Sequence, residues 1–179
     1  MVLAAFSGPA ASACPPVPDQ SAQLRGLFDR ARAASSESEG RLVSGLMWQV
    51  WLQAPDDAAQ QVLDRGLARR SSYDFLGAMA DFERLIDYCP HYAEGFNQRA
   101  YIHFLREDFV DALSDLDRAL VLSPDHVPAL TGRALTLLKL GQIAQARQQL
   151  QAALALNPWL SERFLLLPGG PLAPKGEDI

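Results

Sequence analysis

From about Asp19 to Asn157 the apolar residues recur with helical spacing and are parted by short polar turns. In the stretch SAQLRGLFDRARAA, Leu24, Leu27, Phe28 and Ala31 fall at i, i+3, i+4 and i+7, the stripe of a helix that buries one face. Pro15, Pro16 and Pro18 exclude a helix before it and predict an extended lead-in over 14–20. SSESEG then reads as a polar break, and RLVSGLMWQVWLQA as a second, more apolar helix over 41–54, stopped before Pro55. Two aspartates start a third helix near Asp57, which runs to about Arg70. SSYD is the next turn, and helix resumes through Ile86. The alternation continues to Asn157, and no segment shows the period-two pattern of a strand. WLSERFLLL predicts a short capping helix over 159–167, and residues 169–179 a mobile tail.

The same amphipathic decamer is written three times. DFERLIDYCP ends at Pro90, DLDRALVLSP at Pro124 and QLQAALALNP at Pro158, so the interval is 34 residues. Three units align over 59–92, 93–126 and 127–160. Their eighth places hold Gly66, Ala100 and Ala134, and their twentieth Ala78, Ala112 and Ala146. The twenty-fourth hold Phe82, Leu116 and Leu150, and the twenty-seventh Leu85, Ala119 and Ala153. Small residues at the eighth and twentieth places let two helices approach, and the large one at the twenty-fourth fills the space beside them. Proline starts each following turn, where its missing N–H costs least. Gly141 stands between the helices of the third unit, where a left-handed cap costs little. On these residues the chain resembles the tetratricopeptide-repeat family.

The resemblance implies an all-α fold, a right-handed superhelical solenoid of antiparallel helix pairs over 21–168. It departs from the family at the fourth place, where only Phe96 is aromatic and Val62 and Leu130 are not, and at the seventh, where Arg65, Arg99 and Arg133 stand. The arginine row reads as a solvated or groove-edge face. The helices within 21–55 resemble a fourth, degenerate pair, since Pro55 precedes Pro90 by nearly one interval. Four stacked pairs are therefore expected. Met47, Trp48 and Trp51 would then bury between the first two, and Trp159, Leu160, Phe164 and Leu165 would cover the far end.

The resemblance also implies a concave face lined by the first helix of each pair. The residues expected there are Leu63, Leu67 and Arg70, then Glu94, Asn97, Tyr101 and Phe104, then Thr131, Leu135, Leu138 and Lys139. Asn97 and Tyr101 share a helix face, and could offer an amide to a peptide backbone and a phenol with one hydrogen bond. Family members that grip a C-terminal carboxylate use lysines and asparagines at defined groove places; here only Asn97 matches. So apolar a groove suits an amphipathic helix or an extended apolar segment.

Composition narrows the function. Nearly half of the 179 residues are hydrophobic, and the net charge of −5 argues against nucleic acid as a partner. No apolar run approaches the length that spans a bilayer. His91, His103 and His126 have no second ligand at metal spacing, and no phosphate loop or G-x-S-x-G occurs, so neither cofactor nor enzyme activity is expected. Ala11-Ser12-Ala13 fits a signal cleavage site without a basic region before it, and the expectation is export of the chain, with residues 1–13 removed, to a bacterial periplasm. Cys14 and Cys89 are the only cysteines, and in an exported protein they read first as one disulfide. ASAC also resembles a lipobox, with Cys14 then lipidated; in a cytoplasmic chain Cys89 would be a small buried hydrophobe. The expected role is a scaffold that holds a protein or peptide segment, the alternative a component that self-associates into an oligomer.

Overall fold

The computed structural model describes residues 13–174, so most of the expected signal segment lies outside the described residues. Eight helices follow one another: α1 (Ser21–Ala33), α2 (Glu37–Trp51), α3 (Asp57–Ser71), α4 (Phe75–Tyr88), α5 (Ala93–Leu105), α6 (Phe109–Leu122), α7 (Val127–Lys139) and α8 (Ile143–Leu156). A short 3-10 turn, Ser161–Leu166, stands where the capping helix was expected. Helix α2 begins within the expected polar break. Ser36 accepts a hydrogen bond from the Glu39 N–H, and Glu37 and Glu39 place negative charge in the first turn. Asp56 caps α3 by accepting from the Ala59 N–H at 2.8 Å, and Tyr88 donates its hydroxyl to the other carboxylate oxygen at 2.7 Å. These two donors, the Ala59 N–H first, hold the Asp56 carboxyl below its ordinary range.

The pairs α3/α4, α5/α6 and α7/α8 stack in chain order, with α4 against α5 and α6 against α7. The eighth and twentieth places are fully or almost fully buried, as the close approach of the paired helices requires. Their sizes are matched unit by unit. Where the twenty-fourth place holds Phe82, the eighth is Gly66, and a Cβ there would lie 2.5 Å from the phenyl ring. Where it holds Leu116 or Leu150, the eighth is alanine. The backbone repeats as well: Tyr73 (φ 63°), Glu107 (φ 65°) and Gly141 (φ 74°) occupy the same place in the three units, and each turns the chain between paired helices. Only the third unit fills this left-handed place with glycine.

The arginine row is not the solvated face expected of it. Arg65 reaches across its own helix pair to Asp81 at 2.8 Å, and Arg99 donates two 2.7 Å hydrogen bonds to Asp115. Arg133 donates to Gln149 at 2.9 Å and to Asp117 of the preceding unit at 2.6 Å. Asp81 is fully buried, and Arg69 and Arg84 also pair with it. The hydrogen bond and charge of Asp115 raise the affinity of Arg99 for its proton.

The first pair is a helical hairpin, but it does not extend the stack. Helices α1 and α2 build a core of their own, Leu24, Leu27, Phe28, Ala31, Val43, Met47, Val50 and Trp51, into which the stack sends Val127, Leu156 and Leu160. The hairpin lies along the corners where one unit passes to the next. Tyr92, His126 and Leu160 hold the same place in successive units, and all three meet it. The Tyr92 hydroxyl donates to the Trp51 carbonyl at 2.6 Å, the His126 ring lies 4.9 Å from that of Trp51, and Leu160 enters the hairpin core. At the far corner Asn157 donates to Ser44, the Trp159 indole N–H donates to the Ala31 carbonyl, and the indole lies on Gly40. Trp159 and Leu160 thus serve the hairpin rather than the end of the stack, Trp48 is half-exposed on α2, and Phe164 faces solvent.

At the near corner Cys14 is bonded to Cys89, with Cα atoms 5.2 Å apart and a sequence separation of 75. Closing a loop of that length contributes roughly 4 kcal/mol in the chain-entropy view. The expected mobile tail is packed over its first part. Leu172 is fully buried against Ala134, Leu137, Ala146 and Leu150, and Arg147 donates to the carbonyls of Leu172 and Ala173. An end with no further unit would leave that apolar face wet, and residues 165–173 cover it.

Two substitutions test this packing. Gly66→Ala gains helix propensity but drives a methyl into a ring that has no room to move, for a net loss of about 1–2 kcal/mol. Gly66→Ala with Phe82→Leu restores the pairing of the other units, so urea unfolding should find the double variant at least 1 kcal/mol more stable than the sum of the single changes; additive losses would refute the size match. In Gly40→Ala the new Cβ would fall 2.1 Å from Trp159 Cγ. Expulsion of the indole should cost about 1–3 kcal/mol and shift tryptophan emission to the red, and an unchanged midpoint and spectrum would show that Trp159 does not seat the hairpin.

Candidate functional site

The inner face of the stack is built by α3, α5 and α7, and α2 closes one side of it. What remains open is a pocket of about 320 Å³. Of the residues expected on this face, Arg70, Asn97, Tyr101, Phe104 and Leu135 meet in its wall. Leu63, Glu94 and Thr131 are buried, Leu67 and Leu138 are half-buried outside the pocket, and Lys139 is exposed. Trp48, Gln98, Thr136 and Glu162 also line it and were not anticipated. Trp48 escaped because α2 was expected within the stack, where both of its tryptophans would be covered. Trp51 alone is buried, and Trp48, three residues before it, faces the pocket. Glu162 belongs to the turn after the last repeat, a region in which repeat places have no meaning.

A polar network forms the floor. The Arg70 guanidinium donates to the Gln98 side-chain oxygen, and the Gln98 amide donates to Glu94. Asn97 donates to the other Glu94 oxygen at 3.0 Å, and His126 Nε2 lies 2.9 Å from the same atom. His126 Nδ1 accepts from the Ala129 N–H at 3.2 Å and so caps α7. A neutral ring with Nδ1 accepting carries its proton on Nε2. The hydroxyl of Tyr92 is pushed well above its ordinary value by burial, with the charge of Glu94 adding to it. Glu94 is thus a buried charge supplied with donors, as burial demands.

This network limits what the pocket can hold. Asn97, almost fully buried, gives one of its two amide N–H groups to Glu94. Gln98 uses both ends of its amide, and Thr136 donates to the Gly132 carbonyl. Arg70 lies 5.2 Å from the Tyr101 ring, a cation–π contact that holds both side chains at the rim. Tyr101 is 47% exposed, and its hydroxyl has no hydrogen bond among the described residues. The groups open to a ligand include the tyrosine hydroxyl, the remaining Arg70 N–H groups, the rest of the Asn97 amide, Glu162, and the apolar walls of Trp48, Phe104 and Leu135. Nothing in this set pairs a nucleophile with a base. Among the described residues no three His, Cys, Asp or Glu side chains gather as a metal site, and no helix is long and apolar enough to cross a membrane.

Residues 100–167 match the family model described as tetratricopeptide repeat. Solved structures share the fold. The first such domain of Spaghetti (RPAP3), bound to an HSP90 peptide, is 21% identical with a TM-score of 0.58, covering 59% of this chain and 84% of that one. The TPR2B domain of yeast Sti1, in a complex denoted pHsp70, is 22% identical with a TM-score of 0.55, covering 59% and 87%. The Arabidopsis OM64 domain is 20% identical with a TM-score of 0.57, covering 59% and 87%. No curated relative matches by sequence. With the 34-residue interval repeated in packing and in backbone, these matches show that the chain has the fold of tetratricopeptide-repeat domains.

Proposed function

We propose that the chain is a non-enzymatic scaffold that holds an extended segment of a partner protein in the pocket of its inner face. The observation that carries this reading is the division of that face. Helix α2 already takes the side an amphipathic helix would fill, and what is left is a pocket of about 320 Å³ between Trp48 and helices α3, α5 and α7, the first or A helix of each pair, the second being B. A space of that volume suits one or two side chains of an extended segment better than the whole face of a second helix, some 10 Å across. The ligand places an apolar side chain against Trp48, Phe104 and Leu135 and receives hydrogen bonds from Tyr101 and Arg70 at the rim. Peptides carried by solved neighbours such as RPAP3 support this use of the fold.

The Cys14–Cys89 bond favours work in an oxidising compartment outside the cytoplasm, since the cytoplasm keeps thiols reduced.

The test is photocrosslinking in the native host from a probe at Leu135, followed by mass spectrometry of the adducts. A discrete partner peptide should be labelled, and its yield should fall at least tenfold in a Tyr101→Ala/Arg70→Ala variant. A labelling pattern that this variant leaves unchanged would remove the pocket from the function.

A further inference from the structure

We propose that the Cys14–Cys89 bond is a redox latch: it holds the α1–α2 hairpin against the stack, and its reduction lets the hairpin swing away and widen the inner groove. The idea rests on the groove reading above and adds its regulation.

Three observations carry it. The hairpin has its own hydrophobic core, to which the stack contributes only Val127 among the buried residues, so it can move as a body. Its covalent attachments lie at one end. The chain leaves α2 through residues 52–56 beside the first corner, and the disulfide ties residue 14 to Cys89 at that same corner. Residues 14–56 therefore form a loop fixed twice; with one attachment cut, the other becomes a hinge. Packing at this end is also incomplete. A cavity of about 340 Å³ lies between the lead-in and α1 on one side and the turns around Tyr92 and Ser123 on the other, so that beside the bond only Cys14 and Val17 of the lead-in pack on the core around Cys89. Trp51, with an indole N–H that finds no acceptor, lines the same cavity.

Release is thiol–disulfide exchange. An external dithiol, as a thiolate, attacks Cys14 Sγ, the half-buried sulfur of the pair. The S–S bond breaks and Cys89 leaves as a thiol. The second thiol of the reagent then closes on the mixed disulfide, which frees Cys14. Two electrons pass to the protein, and the dithiol ends as its own disulfide. What moves with the hairpin is Trp48, one wall of the pocket, together with the cover over Glu94 and Thr131.

Hydrogen exchange on the full chain tests this without any peptide. Oxidised protein, protein reduced with dithiothreitol, and Cys14→Ser are compared, with circular dichroism recorded on each. In the two unbonded forms, amides of α1 and α2 should exchange at least tenfold faster while those of α5, α6 and α7 keep their rates. Acrylamide should also quench tryptophan emission more strongly. Hairpin rates within twofold of the oxidised protein would overturn the latch, as would equal acceleration of every helix or loss of helical signal, each of which makes the bond a staple of the whole fold. Because no ligand is present, such a failure is distinct from failure of the groove, which the crosslinking experiment decides.

Discussion

A helix pair of this size carries more apolar surface than it can bury within itself. Each A helix meets its own B helix through the small residues at the eighth and twentieth places, which leaves an apolar flank that only a neighbour can cover. The rest of the architecture follows from that demand. Units stack because each flank needs the next. The stack stops at α8, where Leu172 folds back to do what a fourth A helix would have done. The row of corners, which stacking cannot cover, receives the N-terminal hairpin. Tyr92, His126 and Leu160 stand at one repeated place, and each offers a different contact to it, a hydroxyl, an aromatic ring and an aliphatic side chain.

The groove is what this self-coverage leaves over. Helix α2 does the work of a bound helix, and the polar groups beneath it are tied to Glu94 from several sides. A buried carboxylate with Gln98, Asn97 and His126 around it is costly to disturb, so the floor is rigid. Rigidity favours recognition, since a pocket already formed loses little entropy when it is filled. It also shifts specificity to the groups at the rim, Tyr101, the remaining N–H groups of Arg70, Glu162 and the face of Trp48.

The sequence revealed the stack because its signals are local and periodic: small residues, prolines and one left-handed turn residue at fixed intervals. Five of the groove residues were legible for the same reason, being places on an A helix. The hairpin was not. Pro55 lies close to the repeat interval, but that spacing puts Val43 where the three repeats have alanine, and a β-branched residue there does not allow the same close approach. The residues that seat the hairpin, Asn157 and Trp159, follow it by more than a hundred positions and obey no period. Leu172 was assigned to a tail because glycines and prolines surround it, although a single apolar residue suffices to cap an open end.

The arginine row was misread for a different physical reason. Pairs on one helix meet at three or four residues, and a search at that spacing finds no partner for Arg65 or Arg99. Their acids lie sixteen residues on, across the helix pair. Such a bond is a poor source of stability, because the acid gives up its hydration to make it. It is a better source of register in the second unit, since sliding α5 against α6 by one turn would take Arg99 from Asp115, whereas Asp81 keeps Arg84 of its own helix. The third unit bears on this point. Gln149 replaces the acid there, and Arg133 divides its donors between that amide and Asp117 of the unit before. A neutral partner cannot fix the pair alone, so the charge that completes it comes from next door. The last unit is thereby tied in register to its neighbour as well as to itself.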